Sequence, residues 1–274
     1  MKIAFILLVP FLMLSACQTK FGKILKSTDY EYKLKQADEF FADKKYQKAQ
    51  ELYSELFPVF KGSDKFEELY YKYAFCSYYQ KDYENAQSMF SGFLGIFPNS
   101  PKSEEIAYLQ ALSFYKQSPQ AGLDQVNTHK AIGMMQSYIN NYPNSARVPD
   151  AQEIIAKSRK KLETKDYKTA QLYFDLSQFR AAGITFNDLI NNYPESKEGE
   201  QYMLMAIKSY YQYAKLSIPN KQEERYQVVN TEFLNFQDRF PQSTLMKEAE
   251  SYNNLSQINI KKLQDEQTKA SANR

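Results

Sequence analysis

Phe97-Pro98-Asn99-Ser100 is one of four copies of a short pattern, an aromatic residue followed by Pro, any residue and Ser. The other copies are Tyr142-Pro143-Asn144-Ser145, Tyr193-Pro194-Glu195-Ser196 and Phe240-Pro241-Gln242-Ser243, with Phe57-Pro58 as a degenerate copy ahead of them. Proline cannot continue the helix that ends at the aromatic residue, and a serine hydroxyl can cap the helix that follows. Each copy therefore predicts the end of one helix and the start of the next.

A second pattern lies at a fixed distance before each of these four prolines. A small residue occurs twelve positions earlier and a bulky residue follows it by four, in the pairs Ala86/Phe90, Ala131/Met135, Ala182/Phe186 and Val229/Phe233. This spacing is typical of the second helix of a tetratricopeptide (TPR) repeat, whose antiparallel helix pairs stack into a solenoid. We therefore predict an all-α TPR solenoid of about five helix pairs between Thr28 and Phe240, closed by a helix from about Ser243 to Leu263.

The composition argues against several classes of site. The chain has 8 Gly, one His and two Cys among 274 residues, which is a poor supply for a Cys/His zinc site or a Ser-His-Asp triad. No glycine-rich phosphate loop occurs. The net charge of +3 is spread along the chain, unlike the basic stripe of a nucleic-acid binder. We expect no catalytic residue, no metal ion, no cofactor and no nucleic-acid partner.

The remaining candidates for chemistry have simple structural interpretations. His129 follows Thr128 at a predicted helix start and is interpreted as a surface residue. The adjacent acidic pairs, such as Glu104/Glu105, do not face each other on a helix, so they are interpreted as solvated. Cys76 lies within an aromatic helical pattern and is expected to be a buried, small hydrophobic residue.

The amino terminus has the features of an export signal. Lys2 precedes the apolar run Ile3–Leu14, which is too short to span a bilayer because that requires about 20 residues. The run ends in Leu14-Ser15-Ala16-Cys17, which resembles the lipobox of bacterial lipoproteins. The resemblance implies that residues 1–16 are a signal peptide that is cleaved off, that Cys17 is lipidated, and that residues 17–28 form a tether. The alternative is an ordinary secretory signal with a chance cysteine.

Two repeats are enlarged and one helix is long. Residues 117–128 and 216–226 are predicted insertions, which in a solenoid emerge as loops on one face, either as part of a binding surface or as tolerated surface loops. The first helix of the fourth repeat has no Pro or Gly from Asp150 to Ser177. Residues 264–274 have no apolar side chain larger than alanine and are predicted to be a disordered tail.

The first helices of the N-terminal repeats carry many aromatic residues at positions that are not needed for packing within a pair. Counting from Ala74 and Ala111 predicts a groove lined by Tyr71, Phe75, Tyr79, Tyr108, Leu112 and Tyr115. An exposed apolar surface of this kind usually marks an interaction site, so the groove is a candidate for binding an extended peptide with aromatic residues. The alternative is that tight curvature buries these rings between repeats.

These residues together resemble the BamD family, lipoproteins of the machine that folds β-barrel proteins into the bacterial outer membrane. The resemblance rests on the lipobox at Cys17, the five repeats, the insertion from Ser118-Pro119 through Leu123-Asp124-Gln125 to Thr128, and the run Lys160–Tyr193. The sequence of residues 26–31 resembles that of family members from the Bacteroidetes. In the first repeat, Lys61-Gly62-Ser63-Asp64 departs from the pattern.

The resemblance implies a scaffold that is lipid-anchored on the periplasmic face of the outer membrane and is not an enzyme. The N-terminal repeats, residues 29–145, would receive nascent outer-membrane β-barrel proteins, whose aromatic-rich terminal strand suits the predicted groove. The C-terminal repeats, residues 146–263, would dock the BamA-like central barrel subunit. Two alternatives remain open at this point: another TPR lipoprotein adaptor, acting in glycan uptake or division, and an enzyme.

Overall fold

The computed structural model describes residues 20–272, and within that range the chain forms twelve α-helices and no strand. The helices are α1 Lys20–Leu25, α2 Tyr30–Ala42, α3 Tyr46–Phe60, α4 Phe66–Tyr79, α5 Tyr83–Ile96, α6 Ser103–Gln117, α7 Val126–Asn141, α8 Val148–Asp175, α9 Phe179–Asn192, α10 Gly199–Lys215, α11 Pro219–Arg239 and α12 Met246–Ala272. The all-α TPR architecture is confirmed: α2 to α11 are the first and second helices of five pairs, and α12 closes the series. The predicted signal peptide and Cys17 lie outside the described residues.

The chain divides into two compact units. The first unit contains the described residues up to 117 together with 133–151, and the second contains 118–132 and 152 onward. The predicted boundary between residues 145 and 146 is therefore replaced by an interleaved one. The physical reason is that the insertion after α6 is bonded to α8: Lys161 Nζ donates to Ser118 Oγ at 2.6 Å, and Lys165 Nζ donates to the Leu123 carbonyl at 2.9 Å.

The core of each unit is built from the predicted small and bulky pairs. In the first unit, Ala86 and Phe90 are completely buried, and in the second unit Ala182 and Phe186 are too. The bulky residue packs on the first helix of its own pair: the Phe90 ring contacts Phe75 of α4, and the Phe186 ring contacts Tyr167 of α8. The same holds for Ala49/Tyr53 in the first pair, where both residues are fully buried.

Non-glycine residues end three of the first helices. Lys44, Lys81 and Ser177 have φ of 60°, 63° and 59°, the left-handed conformation that usually requires glycine. At each turn the following residue closes a hydrogen bond to the carbonyl five residues earlier, such as the Lys45 amide to the Phe40 carbonyl at 2.8 Å. These Schellman turns explain how a chain with few glycines makes tight connections within pairs.

The aromatic-Pro-x-Ser pattern forms the turn between one pair and the next, as predicted. The Phe97 amide makes the last helical bond, to the Phe93 carbonyl, and the Ser100 Oγ accepts the Lys102 amide at 3.1 Å. The next helix begins three residues after the serine, at Ser103. The serine therefore orders the turn ahead of the helix rather than serving as its immediate cap.

The first repeat uses the same turn with other residues, and the prediction based on Pro58 was wrong. Pro58 lies inside α3, which continues to Phe60. The Ser63 amide donates to the Phe60 carbonyl, as the Ser100 amide donates to Phe97. Phe60 to Ser63 is thus the equivalent of the later motif, with Lys61 in place of proline and Gly62 at φ 85°.

Three other segments differ from the prediction. Residues 20–25 of the predicted tether form α1, whose Ile24 is buried in the core of the first unit. The second predicted insertion is mostly helix, because Pro219 is well suited to the first helical position and starts α11 there. The closing helix α12 continues to Ala272 rather than ending at Leu263, since Gln, Lys, Glu and Ala are strong helix formers even without a core contact. The long helix α8, Val148–Asp175, confirms the prediction for the fourth repeat.

Candidate functional site

Rings on the first two helix pairs of the first unit form a continuous aromatic strip, which we define as Phe41, Tyr46, Tyr71, Phe75 and Tyr79. The Tyr71 and Phe75 ring centroids are 4.5 Å apart, and those of Phe75 and Tyr79 are 5.5 Å apart. Tyr79 stacks on Tyr46 at 4.7 Å. Offset and edge-on contacts of this kind each contribute about 0.5–1.5 kcal/mol beyond burial. The strip is therefore a pre-formed surface.

The predicted groove residues of α4 are exposed to very different extents. The Tyr79 side chain is 46% exposed, Tyr71 is half-buried, and Phe75 is only 6% exposed. The expectation that Phe75 lines an open groove was wrong, because its ring packs on Phe90 of α5 at 5.7 Å. Phe75 is therefore the buried ring of the strip, and Tyr79 is its exposed ring.

The predicted groove residues of α6 are half-buried. The Tyr108 ring packs on Tyr138 at 5.4 Å and lies under the Arg147 guanidinium at 5.8 Å. Leu112 and Tyr115 follow one and two turns later on the same helix face, and both are intermediate in exposure. All three residues therefore lie on α6. The ring of Tyr108 is partly covered by Tyr138 of α7 and by Arg147, which both belong to the first unit.

Ion pairs border the aromatic strip. The Tyr71 hydroxyl donates to Glu105 Oε2 at 3.0 Å, and the Lys102 ammonium lies 5.1 Å from the Tyr71 ring centroid. Lys102 also pairs with Glu68 at 2.7 Å, and Lys72 pairs with Asp38 at 3.0 Å. Burial alone would raise the pKa of Glu68, but Lys102 and Lys72 lower it below its ordinary value. The charges beside Tyr71, at the α4 and α6 end of the strip, are therefore paired with one another.

A repeated hydrogen bond ties the turn after each pair to the first helix of that pair. Ser100 Oγ donates to Glu67 at 2.8 Å, Ser145 Oγ to Glu104 at 2.5 Å, and Ser243 Oγ to Glu200 at 2.5 Å. Ser196 Oγ makes the same bond to Glu163. We call this the serine–glutamate latch. In the first repeat, Ser63 Oγ donates to the Phe60 carbonyl instead, and Glu31 pairs with Lys65.

Sequence reasoning identified the four serines but missed the four glutamates. The glutamate precedes its serine by 33 residues in two repeats but by 41 and 43 in the enlarged ones. The available signal was a Glu in the first turn of three of the first helices, Glu67, Glu104 and Glu200, which is common in helices for other reasons, and Glu163 lies in the middle of α8 without even that signal.

The second unit has a cleft of about 400 Å³ between α9, α10 and α11. It is lined by two arginines, one glutamate, two tyrosines and two aliphatic side chains, namely Arg180, Arg225, Glu224, Tyr210, Tyr213, Ile184 and Val228. The Arg225 guanidinium lies 4.1 Å from the Tyr213 ring centroid. Burial and then Glu232 raise the pKa of Tyr210 to about 12, so its hydroxyl stays protonated. The cleft offers cationic and apolar contacts together.

His129 and Cys76 have the surroundings that the sequence predicts for a surface residue and a buried residue, respectively. His129 is exposed on α7, and Cys76 is fully buried, which raises the pKa of its thiol to about 12. Among the residues whose placement is described, no group of three or more His, Cys, Asp or Glu is arranged to hold a metal ion. Over the same part of the chain, no helix is both long and apolar enough to cross a bilayer.

One of three comparisons with known proteins identifies a family. A model of the YfiO family, described as an outer membrane lipoprotein, matches residues 28–228. A comparison with curated proteins finds no match. Among solved structures, the chain is similar to the "TPR2AB-domain:pHSP90-complex of yeast Sti1", with 12% identity and a TM-score of 0.38, over 83% of this chain and 98% of that chain.

Proposed function

The chain belongs to the YfiO, or BamD, family of outer membrane lipoproteins, and we propose that it is a scaffold of the machinery that inserts β-barrel proteins into the outer membrane. In this proposal it is lipid-anchored through Cys17 on the periplasmic face. It uses no cofactor, and its only covalent addition is the lipid. It performs no catalysis and contributes by binding two kinds of protein at once.

The observation that carries the proposal is the aromatic strip, with Tyr79 exposed at its end. Unfolded barrel proteins of the class implied by the resemblance end in an aromatic-rich strand. Such a strand can lay an aromatic side chain against Tyr79 and Tyr46, gaining ring contacts and removing apolar surface from water. The neighbouring carboxylates and ammonium groups are already paired, so an apolar chain segment meets no unpaired charge at Glu68, Lys72 or Lys102.

The second unit is proposed to dock the BamA-like central barrel subunit. Its cleft combines the features of an interface anchor point, because tyrosine and arginine are the residue types that contribute most to binding at protein interfaces. Ile184, which lines the cleft, is 45% exposed, and Leu216 and Ile218 in the α10–α11 connection are 68% and 63% exposed. A partner that covers these side chains removes a substantial apolar area from water.

Binding both proteins on one anchored chain explains how a scaffold assists insertion without chemistry. A substrate held by the first unit and a barrel subunit held by the second are joined through one chain, so the effective concentration of substrate at the barrel rises. Several acyl chains at Cys17 would hold the chain on the membrane essentially permanently. Both effects depend on position, not on a catalytic group.

Site-specific photo-crosslinking tests this assignment. A photoreactive amino acid at Tyr79 is expected to trap nascent outer-membrane proteins, and one at Ile184 is expected to trap the central barrel subunit. Phe75 is unsuitable because its side chain is buried. Ile96, which is 52% exposed at the end of α5, is the matched control in the first unit. A reversed crosslinking map, or equal substrate crosslinking at Ile96 and Tyr79, contradicts the proposal.

A further inference from the structure

Lysines are concentrated where the described chain begins. One set lies in α1 and directly after it, and another lies in the α2–α3 turn and the first turn of α3. The six residues, all exposed, are Lys20, Lys23, Lys26, Lys44, Lys45 and Lys48.

Ring contacts bring the two sets together. The Phe21 ring of α1 packs edge-on against the Phe40 ring of α2, with centroids 5.5 Å apart. Lys48 Nζ lies 5.4 Å from the Phe21 centroid and 5.7 Å from that of Phe40. Lys45 Nζ lies 5.8 Å from the Phe40 centroid. Lys45 and Lys48 of the second set therefore cover the ring pair that fixes α1 to the first unit, which places the second set beside α1, and we call the six lysines together the basic patch.

Most lysines of the basic patch lack the ion pairs with carboxylates that several other lysines of the first unit form. Lys72 of α4, and Lys65 and Lys102 directly before α4 and α6, all pair with carboxylates on the first helix of the preceding pair. In the patch, Lys45 pairs with Asp43 at 2.8 Å, and the other five lysines form no ion pair within the described residues. Six positive charges and one negative charge leave the patch with an excess of five.

The chain length fixes where this charge lies relative to the proposed anchor. Cys17 precedes Lys20 by three residues, and three residues of extended chain span at most about 11 Å. That distance is close to the Debye length of about 8–10 Å at physiological salt. If Cys17 is lipidated, the basic patch is held within electrostatic range of the headgroups.

We propose that the basic patch docks on the anionic phospholipid headgroups of the leaflet that holds the anchor. This inference rests on the proposed lipidation of Cys17. The acyl chains alone hold the protein at the membrane, so the patch contributes orientation: it turns α1 and the α2–α3 turn of the first unit toward the bilayer. An acidic protein segment is the competing occupant, and the experiment separates the two.

The experiment measures binding of the full mature chain, with Cys17→Ser to remove the lipid, to vesicles. Vesicles of phosphatidylcholine are compared with vesicles that contain one third phosphatidylglycerol. We expect binding to the anionic vesicles only, lost at about 0.5 M salt. Lys44→Gln/Lys45→Gln/Lys48→Gln is expected to lower the partition coefficient about 100-fold, because each lysine near an anionic surface contributes about fivefold.

Two further variants make the result specific. Replacing the same three lysines with arginine is expected to keep binding within about twofold, since the charge is retained. The matched control, Lys247→Gln/Lys261→Gln/Lys262→Gln, removes three exposed lysines from α12 and should keep wild-type binding. Circular dichroism spectra of each variant should match that of the wild type, which checks that the substitutions leave the fold intact.

The proposal is overturned if the chain shows no preference for anionic vesicles, or if the α12 control loses as much affinity as the patch variant. The anchor is tested separately, by the mass of the Cys17 peptide from membrane-purified protein. A lipidated Cys17 without patch-dependent vesicle binding refutes the docking alone. Patch-dependent binding with an unmodified Cys17 refutes the anchor alone, so the two failures are distinguishable.

Discussion

Replacing Glu163 with glutamine is expected to destabilise the second unit by about 2 kcal/mol at neutral pH. The residue is 5% exposed, and its carboxylate accepts the hydroxyls of Ser196 and Tyr202, the latter at 2.6 Å. It also pairs with Lys160 at 3.0 Å, but the Lys160 side chain is 60% exposed, so that pair contributes little.

The magnitude follows from the two buried bonds. A hydrogen bond to a charged group contributes about 1.5–3 kcal/mol, against about 1 kcal/mol for a neutral one. Both hydroxyls donate to the same oxygen, Oε1, so a glutamine whose amide oxygen takes that position keeps both bonds, but each becomes a weaker bond to a neutral acceptor. The relief of a desolvated charge offsets part of this loss, which leaves about 2 kcal/mol.

The effect has a defined pH dependence. Burial alone would raise the pKa of Glu163, but the bonds from Ser196, Tyr202 and Lys160 lower it below the ordinary value of 4.5. A carboxyl group whose folded-state pKa is lowered contributes stability above its unfolded pKa, and this is lost as the pH falls through the folded value. The difference between wild type and Glu163→Gln should therefore be complete at pH 7 and smaller at about pH 3, which lies below the ordinary value of 4.5.

Urea unfolding at both pH values, followed by circular dichroism and by hydrogen exchange in α8 and α10, measures this difference. The matched control is Glu153→Gln, an exposed residue on the same helix that pairs only with Lys157 at 2.7 Å, and its effect should be under about 0.5 kcal/mol. A Glu163→Gln effect as small as that of the control, or an equal effect at both pH values, would refute the latch as a stabilising bond.

The remaining predictions concern the anchor, the buried thiol and helix packing. Cys17→Ser should leave the protein soluble or unprocessed, and membrane retention at the wild-type level on fractionation contradicts the anchor. Cys76, with its pKa raised to about 12, should resist a thiol reagent at about pH 8 until urea unfolds the chain; rapid labelling of the native protein contradicts its burial. Gly183→Ala should lower stability by about 1–3 kcal/mol, since the new methyl group would lie 2.9 Å from the Tyr210 ring. Gly133→Ala meets no atom within 4 Å and should stabilise by about 0.5–1 kcal/mol, so a loss of equal size for both variants argues against packing as the cause.

The sequence was sufficient to predict the repeated helix pairs because their determinants are local. The spacing of Ala86, Phe90 and Pro98 within one repeat encodes a buried face and a turn. The same spacing applied to the first repeat places the turn at Lys61, twelve residues after Ala49, where Lys61-Gly62-Ser63-Asp64 replaces the Pro-x-Ser pattern, whereas Pro58 comes only nine residues after Ala49. A proline alone does not mark the end of a helix. Pro58 lies inside α3, which continues to Phe60.

The candidate surface was predicted only in part, because exposure depends on neighbours distant in sequence. Phe75 and Tyr79 are one turn apart on the same helix, yet Phe90 covers the first and leaves the second open. The insertion after α6 was expected to be a loop on the surface. Its Gln125 instead is 3% exposed and bonds the Gln120 and Leu123 carbonyls, which no local pattern indicates.

The central claim is that this chain joins the barrel-assembly machinery, and affinity purification of the tagged protein from solubilised outer membranes tests it most directly. The account predicts that the central barrel subunit is recovered with the wild-type protein. Ile184→Glu in the cleft of the second unit should lose that subunit, whereas Ile96→Glu in the first unit should retain it. Recovery of a glycan-uptake or division complex with no barrel-assembly subunit would contradict the account.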